Sequence, residues 1–210
     1  MTDTGNLGVT SGILLIFLIL IGAVSASVIL SETTRYSNSG IDLNQITNEA
    51  VDEISTYLQI KDIVGKYQVF QGEQKITQIA ILIKPLASLN IDLNHMVIEI
   101  SSGDQLRILY FNGKSSTIAS YSLFDHPLWS TLDGNDYSLI PLIDDDNSMS
   151  TSHMMNKYTD AAFLLIRLPD NCMMSYGDIL QLTLLPSPGI ERTVPLEAPL
   201  PTSTIVALYE

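Results

Sequence analysis

The sequence predicts an α+β chain: a long N-terminal hydrophobic α-helix over residues 1–60, followed by an antiparallel, immunoglobulin-like β-sandwich over residues 61–210. Three observations predict it. Residues 13–30 (ILLIFLILIGAVSASVIL) form an almost unbroken apolar run. Apolar residues then recur at helical spacing as far as Leu58. From residue 64 the period changes to two, and short apolar segments follow one another between turn signals with no helical pattern among them.

The opening run is 18 residues long, and as a helix it would span roughly 27 Å, close to the hydrocarbon thickness of a bilayer. No Lys or Arg precedes it, and the first basic residue is Arg35. A secretory signal wants a basic leading region, a shorter apolar stretch and a small-residue cleavage site. Residues 23–26 (AVSA) mimic such a site, but the apolar stretch continues to Leu30, so the run reads as retained. The small residues Gly22, Ala23, Ser25, Ala26 and Ser27 allow close approach of neighbouring helices. Burial among copies of the same helix satisfies both features, whereas a permanent lipid anchor would ordinarily carry basic flanks.

Beyond the run, residues 31–40 (SETTRYSNSG) are polar, and Gly40 weakens helix by about 1 kcal/mol. Ile46, Ala50, Ile54 and Leu58 then recur every fourth residue, broadened by Leu43 and Val51, with Glu49, Asp52, Glu53 and Gln59 on the other face. One long, kinked helix from about residue 10 to residue 57, ending near Ile60, accounts for both halves. The first half needs burial on all sides and the second on one side only.

Strands are predicted at residues 75–84 (KITQIAILIK), 96–101 (MVIEIS), 105–111 (QLRILYF), 161–168 (AAFLLIRL), 179–184 (ILQLTL), 192–196 (RTVPL) and 203–209 (STIVALY). Turn residues separate them at 102–104 (SGD), 112–113 (NG), 169–171 (PDN), 176–178 (YGD) and 186–189 (PSPG). Residues 113–160 show no clear period and read as loops with short strands.

The formal charge of −13, with 10 basic residues against 23 acidic ones, excludes nucleic acid as a partner, because phosphate neutralisation needs a basic surplus. Cys172 is the sole cysteine and reads as a small buried hydrophobe; no intrachain disulfide can form. No Asn-x-Ser/Thr acceptor occurs. His95, His126 and His153 lack metal-ligand spacing. Asp125-His126 has no nucleophile elbow near it and reads as a polar surface loop anchored by Trp129. Asp144, Asp145, Asp146 and Asn147 read as a solvated acidic turn, with a Ca²⁺ site as the alternative; no other cofactor is indicated. No residue is assigned a catalytic role.

Residues 7–33 (LGVTSGILLIFLILIGAVSASVILSET) resemble the N-terminal helix of the archaellins, the archaeal flagellins. The likeness continues in Asn90-Ile91-Asp92-Leu93 leading into residues 96–101, and in residues 163–167, Tyr176-Gly177-Asp178-Ile179, and residues 186–189 followed by Pro195. It is weakest over residues 113–160. The resemblance implies a structural subunit of the archaellum, an extracellular rotary swimming filament related to type IV pili, with the helices at its core and the β-domains outside. Its implied partners are copies of itself and related subunits, with a transient stay in the membrane before assembly. The family's basic leader has no counterpart in residues 1–12, where Gly5 is the residue a cleavage would follow.

The assembly helix is accordingly assigned to Ile13, Leu14, Leu15, Ile16, Phe17, Leu18, Ile19, Leu20, Ile21, Gly22, Ala23, Val24, Val28, Ile29 and Leu30. Two other readings of the same pattern are an adhesive type IV-pilin-like fibre subunit and a membrane-anchored β-sandwich binding module.

Overall fold

The computed structural model describes residues 58–88, 90–117, 122–187 and 189–209. The predicted helix of residues 10–57, with every predicted assembly residue, lies outside them. A division of the chain falls between Glu49 and Ala50, so the described residues all belong to one unit.

Eleven strands lie among the described residues: β1 (Leu58–Phe70), β2 (Glu73–Pro85), β3 (Ile91–Asp92), β4 (Val97–Ser102), β5 (Gln105–Ser115), β6 (Asp136–Ile143), β7 (Met154–Met155), β8 (Ala161–Arg167), β9 (Ile179–Leu185), β10 (Arg192–Glu197) and β11 (Ile205–Ala207). Nine of them form one sheet in the order β10-β9-β4-β5-β6-β8-β2-β1-β11, and β3 pairs with β7 separately. The sheet curls around its own core. Leu196 of β10 and Val206 of β11, at opposite edges, share one buried cluster with Ile98, Leu139, Ile81 and Ile63 from the strands between. The domain is thus mostly β, as expected, but the strands run through one continuous sheet and not two stacked ones. One pair also departs from the antiparallel expectation, for β5 and β6 run parallel.

That parallel pair dictates the next feature. A parallel neighbour cannot be reached by a tight hairpin, so the chain must travel back across a face of the sheet. The stretch between β5 and β6 does this with two 3-10 turns, Leu123–Asp125 and Pro127–Thr131. It builds a second buried cluster in which Phe124, Leu128, Trp129 and Leu132 cover Ala80, Ile140 and Leu165. Strand β6, buried on both faces by this lid and by the main core, has lost the alternation that marks a half-exposed strand. That is why residues 136–143 show no period in the sequence.

Strand β1 carries a further correction. It begins at Leu58, so Leu58, Gln59 and Ile60 are strand and not the end of a helix. It turns into β2 through Gln71 and Gly72, both at positive φ (53° and 88°), a two-residue hairpin whose twist suits the paired strands. A register shift between Ile60 and Asp62 lets Ile60 and Ile63 both point inward. Gly65 admits β11 closely: a Cβ there would lie 2.9 Å from Leu208 Cδ1 and 3.0 Å from Ile76 Cγ2.

Candidate functional site

Three clusters hold the polar side chains singled out by the sequence. The first is the lid. His126 is buried, with Leu128 N–H donating to its Nδ1 at 3.2 Å and its Nε2 lying 3.2 Å from Thr117 O. This pattern fits the neutral ring with the proton on Nε2. Trp129 is buried, stacks on Phe124 with ring centroids 5.5 Å apart, and donates Nε1–H to Leu123 O at 2.7 Å. Asp125 is the exposed member: it accepts from Ser122 Oγ and pairs with Lys66 Nζ at 3.6 Å. The Ser122 hydrogen bond, aided by Lys66 and opposed by slight desolvation, holds its carboxyl below the usual range. His126 and Asp125 therefore face different partners and form no acid–base relay. The stretch predicted as a surface loop anchored by Trp129 is anchored as predicted, yet it is a lid with a core of its own.

The second cluster is the acidic turn. Asp144 accepts from Met149 N–H at 3.3 Å, Ser150 N–H at 3.1 Å and Ser150 Oγ at 3.0 Å. It thereby fixes α1 (Ser148–Thr151), a single helical turn. Asp146 accepts from Asn156 Nδ2 at 2.9 Å and Ser148 N–H at 3.1 Å, with Lys157 Nζ at 3.5 Å. These contacts, the Asn156 amide foremost, hold its carboxyl well below the usual carboxylate range. The repulsion between neighbouring carboxylates is thus offset by N–H donors and one ammonium group. Among the described residues no group of three or more His, Cys, Asp or Glu side chains converges as a metal site.

The third cluster was not legible in the spacing of the sequence. His95 Nδ1 lies 2.7 Å from Asp92 Oδ2, and His153 Nδ1 lies 3.0 Å from Asn94 Oδ1. Two of the three histidines therefore meet on one loop pair, which also contains the β3–β7 ladder. His153 sits at φ 56°, in the left-handed region, and its ring packs edge-on against Phe111 at 4.8 Å. Burial pushes the Asp92 carboxyl up, but hydrogen bonds from Asn94 and His95 outweigh it, and the group is held low. Beneath this loop Tyr137 is fully buried, its hydroxyl 2.8 Å from Met96 O and 3.0 Å from Leu93 O. The hydroxyl ties the loop to the core. Cys172 is fully buried in the main core, and burial pushes its thiol up, as suits an inert hydrophobe.

All three clusters are scaffolding: each closes a loop or fixes a lid, and none presents a nucleophile beside a base. A cavity of about 390 Å³ opens beside the β1–β2 hairpin, lined by Tyr67, Gln68, Val69, Gln74 and residues 201–204 without a single charged side chain.

No family model matches the chain. It is 27% identical over 171 residues to flagellin B3 of Methanocaldococcus jannaschii, covering 79% of this chain and 76% of that one. It is 28% identical over 184 residues to flagellin B5 of Pyrococcus abyssi, with 77% of each covered. The fold resembles the crystal structure of archaeal flagellin FlaB1 from M. jannaschii, with a TM-score of 0.64 at 23% identity over 72% of this chain and 95% of that one. It also resembles the subunit of the archaeal flagellum of Methanospirillum hungatei, with a TM-score of 0.51 at 14% identity, covering 96% of this chain and 99% of that one.

Proposed function

The chain belongs to the archaellins, the archaeal flagellins, and from that premise we propose that it polymerises into an archaellum through a helix formed by residues 1–60, with residues 61–210 as its outer domain. It is a structural subunit of an extracellular, cell-surface swimming filament and not an enzyme, and its partners are copies of itself. The observation that carries the reading is likeness to flagellins along more than three-quarters of the chain and of each relative.

The proposed division of labour follows from physical chemistry. An apolar run such as residues 13–30 needs burial on every side, which lipid supplies before assembly and a bundle of identical helices supplies after it. Each fully buried Leu, Ile or Phe contributes roughly 1.5–3 kcal/mol relative to water. Relative to lipid the gain is far smaller, so close packing at the small residues Gly22, Ala23 and Ser25 must favour the bundle. The α+β architecture, an N-terminal helix ahead of the curled β-sheet domain, is part of this proposal.

Leu18→Asp or Ile19→Lys should leave the outer domain folded by circular dichroism and abolish filaments in electron micrographs of material sheared from cells. Filaments of normal length and yield from either variant would refute the assignment of assembly to this run.

A further inference from the structure

The outer face of the sheet is covered unequally. Over β6, β8 and β2 the lid of Phe124, Leu128, Trp129 and Leu132 excludes water. Over β5 and β4 nothing among the described residues does so, yet the side chains are of the kind that need cover. The inward residues Ile98, Ile100 and Leu109 are buried, so the alternate positions face out. There Leu106, Ile108 and Tyr110 stand in a row at 55%, 45% and 60% exposure. Register places Val97 opposite Tyr110, and Leu185 of β9 opposite Val97. Around this row the outward positions 97, 99 and 101 of β4 and 181, 183 and 185 of β9 carry one charge, Glu99, while Arg107 and Lys114 are the exposed basic residues of β5.

We propose that this face is a lateral contact between outer domains of neighbouring copies in the filament, an inference that rests on the polymer reading above. Charge selects the occupant. Every copy carries −13, so two copies approaching through ordinary surface bring like charge together, and repulsion is least where the face is neutral and apolar. Size selects the mode. The row presents on the order of 300 Å², the scale of the largest apolar patch on an ordinary monomer, whereas a stable free dimer buries about 800 Å² on each partner. The contact is therefore too small to hold two free domains together and sufficient as one of several in a polymer. An open helical array repeats through heterologous contacts, so the row meets a different surface of the next copy.

The test uses filaments formed by the full chain as the sole filament protein. Ile108→Cys is labelled by a maleimide in intact filaments and in subunits dissociated from them, with buried Cys172 as the internal reference. Labelling at least tenfold slower in filaments is expected. Equal rates in the two states overturn the contact, and so does protection that persists in free subunits, which would mean a cover other than a neighbouring copy. In parallel, Leu106→Asp with Ile108→Asp should leave the subunit's melting temperature within a few degrees while lowering the filament's dissociation temperature by about 10 °C or more. Double-variant filaments as heat-stable as wild type overturn the contact while the polymer stands. A wild-type chain that forms no filaments sinks the polymer reading and the contact with it.

Discussion

Replacing Trp129 separates a lid from a surface loop more sharply than any other change. The indole is 5% exposed, lies 5.5 Å from the Phe124 ring at an interplanar angle of 13°, and donates its N–H to Leu123 O. Trp129→Ala removes the largest member of a small cluster of seven buried residues. Loss of buried area plus the cavity left behind costs about 3–5 kcal/mol in ordinary cores. The carbonyl of Leu123 loses its donor as well, which adds about 1 kcal/mol. For a domain of this size each kcal/mol lowers the melting temperature by about 2–4 °C, so a fall of about 8–24 °C is expected. Trp129→Phe keeps the stacked ring and loses only the hydrogen bond and some area, so a fall of about 2–6 °C is expected.

The assay is far-UV circular dichroism of the full chain in detergent, because Trp129 is the only tryptophan and its fluorescence disappears with the substitution. A loop merely lying on the surface would cost less than about 0.5 kcal/mol. A melting temperature for Trp129→Ala within about 2 °C of wild type therefore refutes the lid. If Trp129→Phe proved as damaging as Trp129→Ala, the hydrogen bond would outweigh apolar burial and the energetic argument would be wrong.

Two further outcomes follow from the polar tethers. Tyr137→Phe should lower stability by about 1–3 kcal/mol, because it removes the one hydroxyl donor that the Leu93 and Met96 carbonyls share beneath the β3–β7 loop, and chemical denaturation measures it. Burial, with Asp92 nearby adding to it, raises the Tyr137 hydroxyl above its ordinary 10.0. Its contribution is thus fully present below pH 10 and is lost as pH rises beyond it, since the unfolded chain releases that proton first. Alkaline unfolding should accordingly be less steep in Tyr137→Phe, and unchanged steepness would count against the assignment. Asp160, fully buried, accepts the N–H groups of Asn156 at 2.9 Å and Lys157 at 3.0 Å. Asp160→Ala should cost about 2–4 kcal/mol and open the turn to proteolysis, and a variant as protease-resistant as wild type would show that the turn does not depend on it.

The strands that the sequence announces are those whose apolar pattern is unbroken and set between clear turns. Residues 179–184 bracket an observed strand to within a residue because inward Leu alternates with outward Gln181 and Thr183. Residues 161–168 do so because a continuous apolar run between clear turns marks a strand buried on both faces. β6 was illegible because the lid buries its second face, and the lid was illegible because 3-10 turns have no apolar period of their own. Leu58 misled in another way. Its spacing of four from Ile54 continues a helical pattern, yet its pairing with Pro85 of β2 makes it the first residue of a strand. The meeting of His95 and His153 could not be read at all, since 58 residues separate them and only the β3–β7 pairing joins their loops.

The sheet edges bear on how copies of this chain can join. A sheet offers two routes to a neighbour, adding strands at an edge or packing a face, and edge addition leads to uncontrolled growth unless it is blocked. Here both edges are poor templates. β11 is three residues long. Just beyond the paired ends of β10 and β9, Ala198 N–H donates to Asp178 O. By the two-residue alternation of an antiparallel pair, the nitrogen of Pro195 points away from β9. Pro195 thus stands where an incoming strand would seek a donor and finds none. Strand addition being disfavoured at both ends, copies of this domain are left with their faces. The bare apolar row on β5 then becomes the economical place for them to meet, while the lid keeps the other half of the outer face from competing.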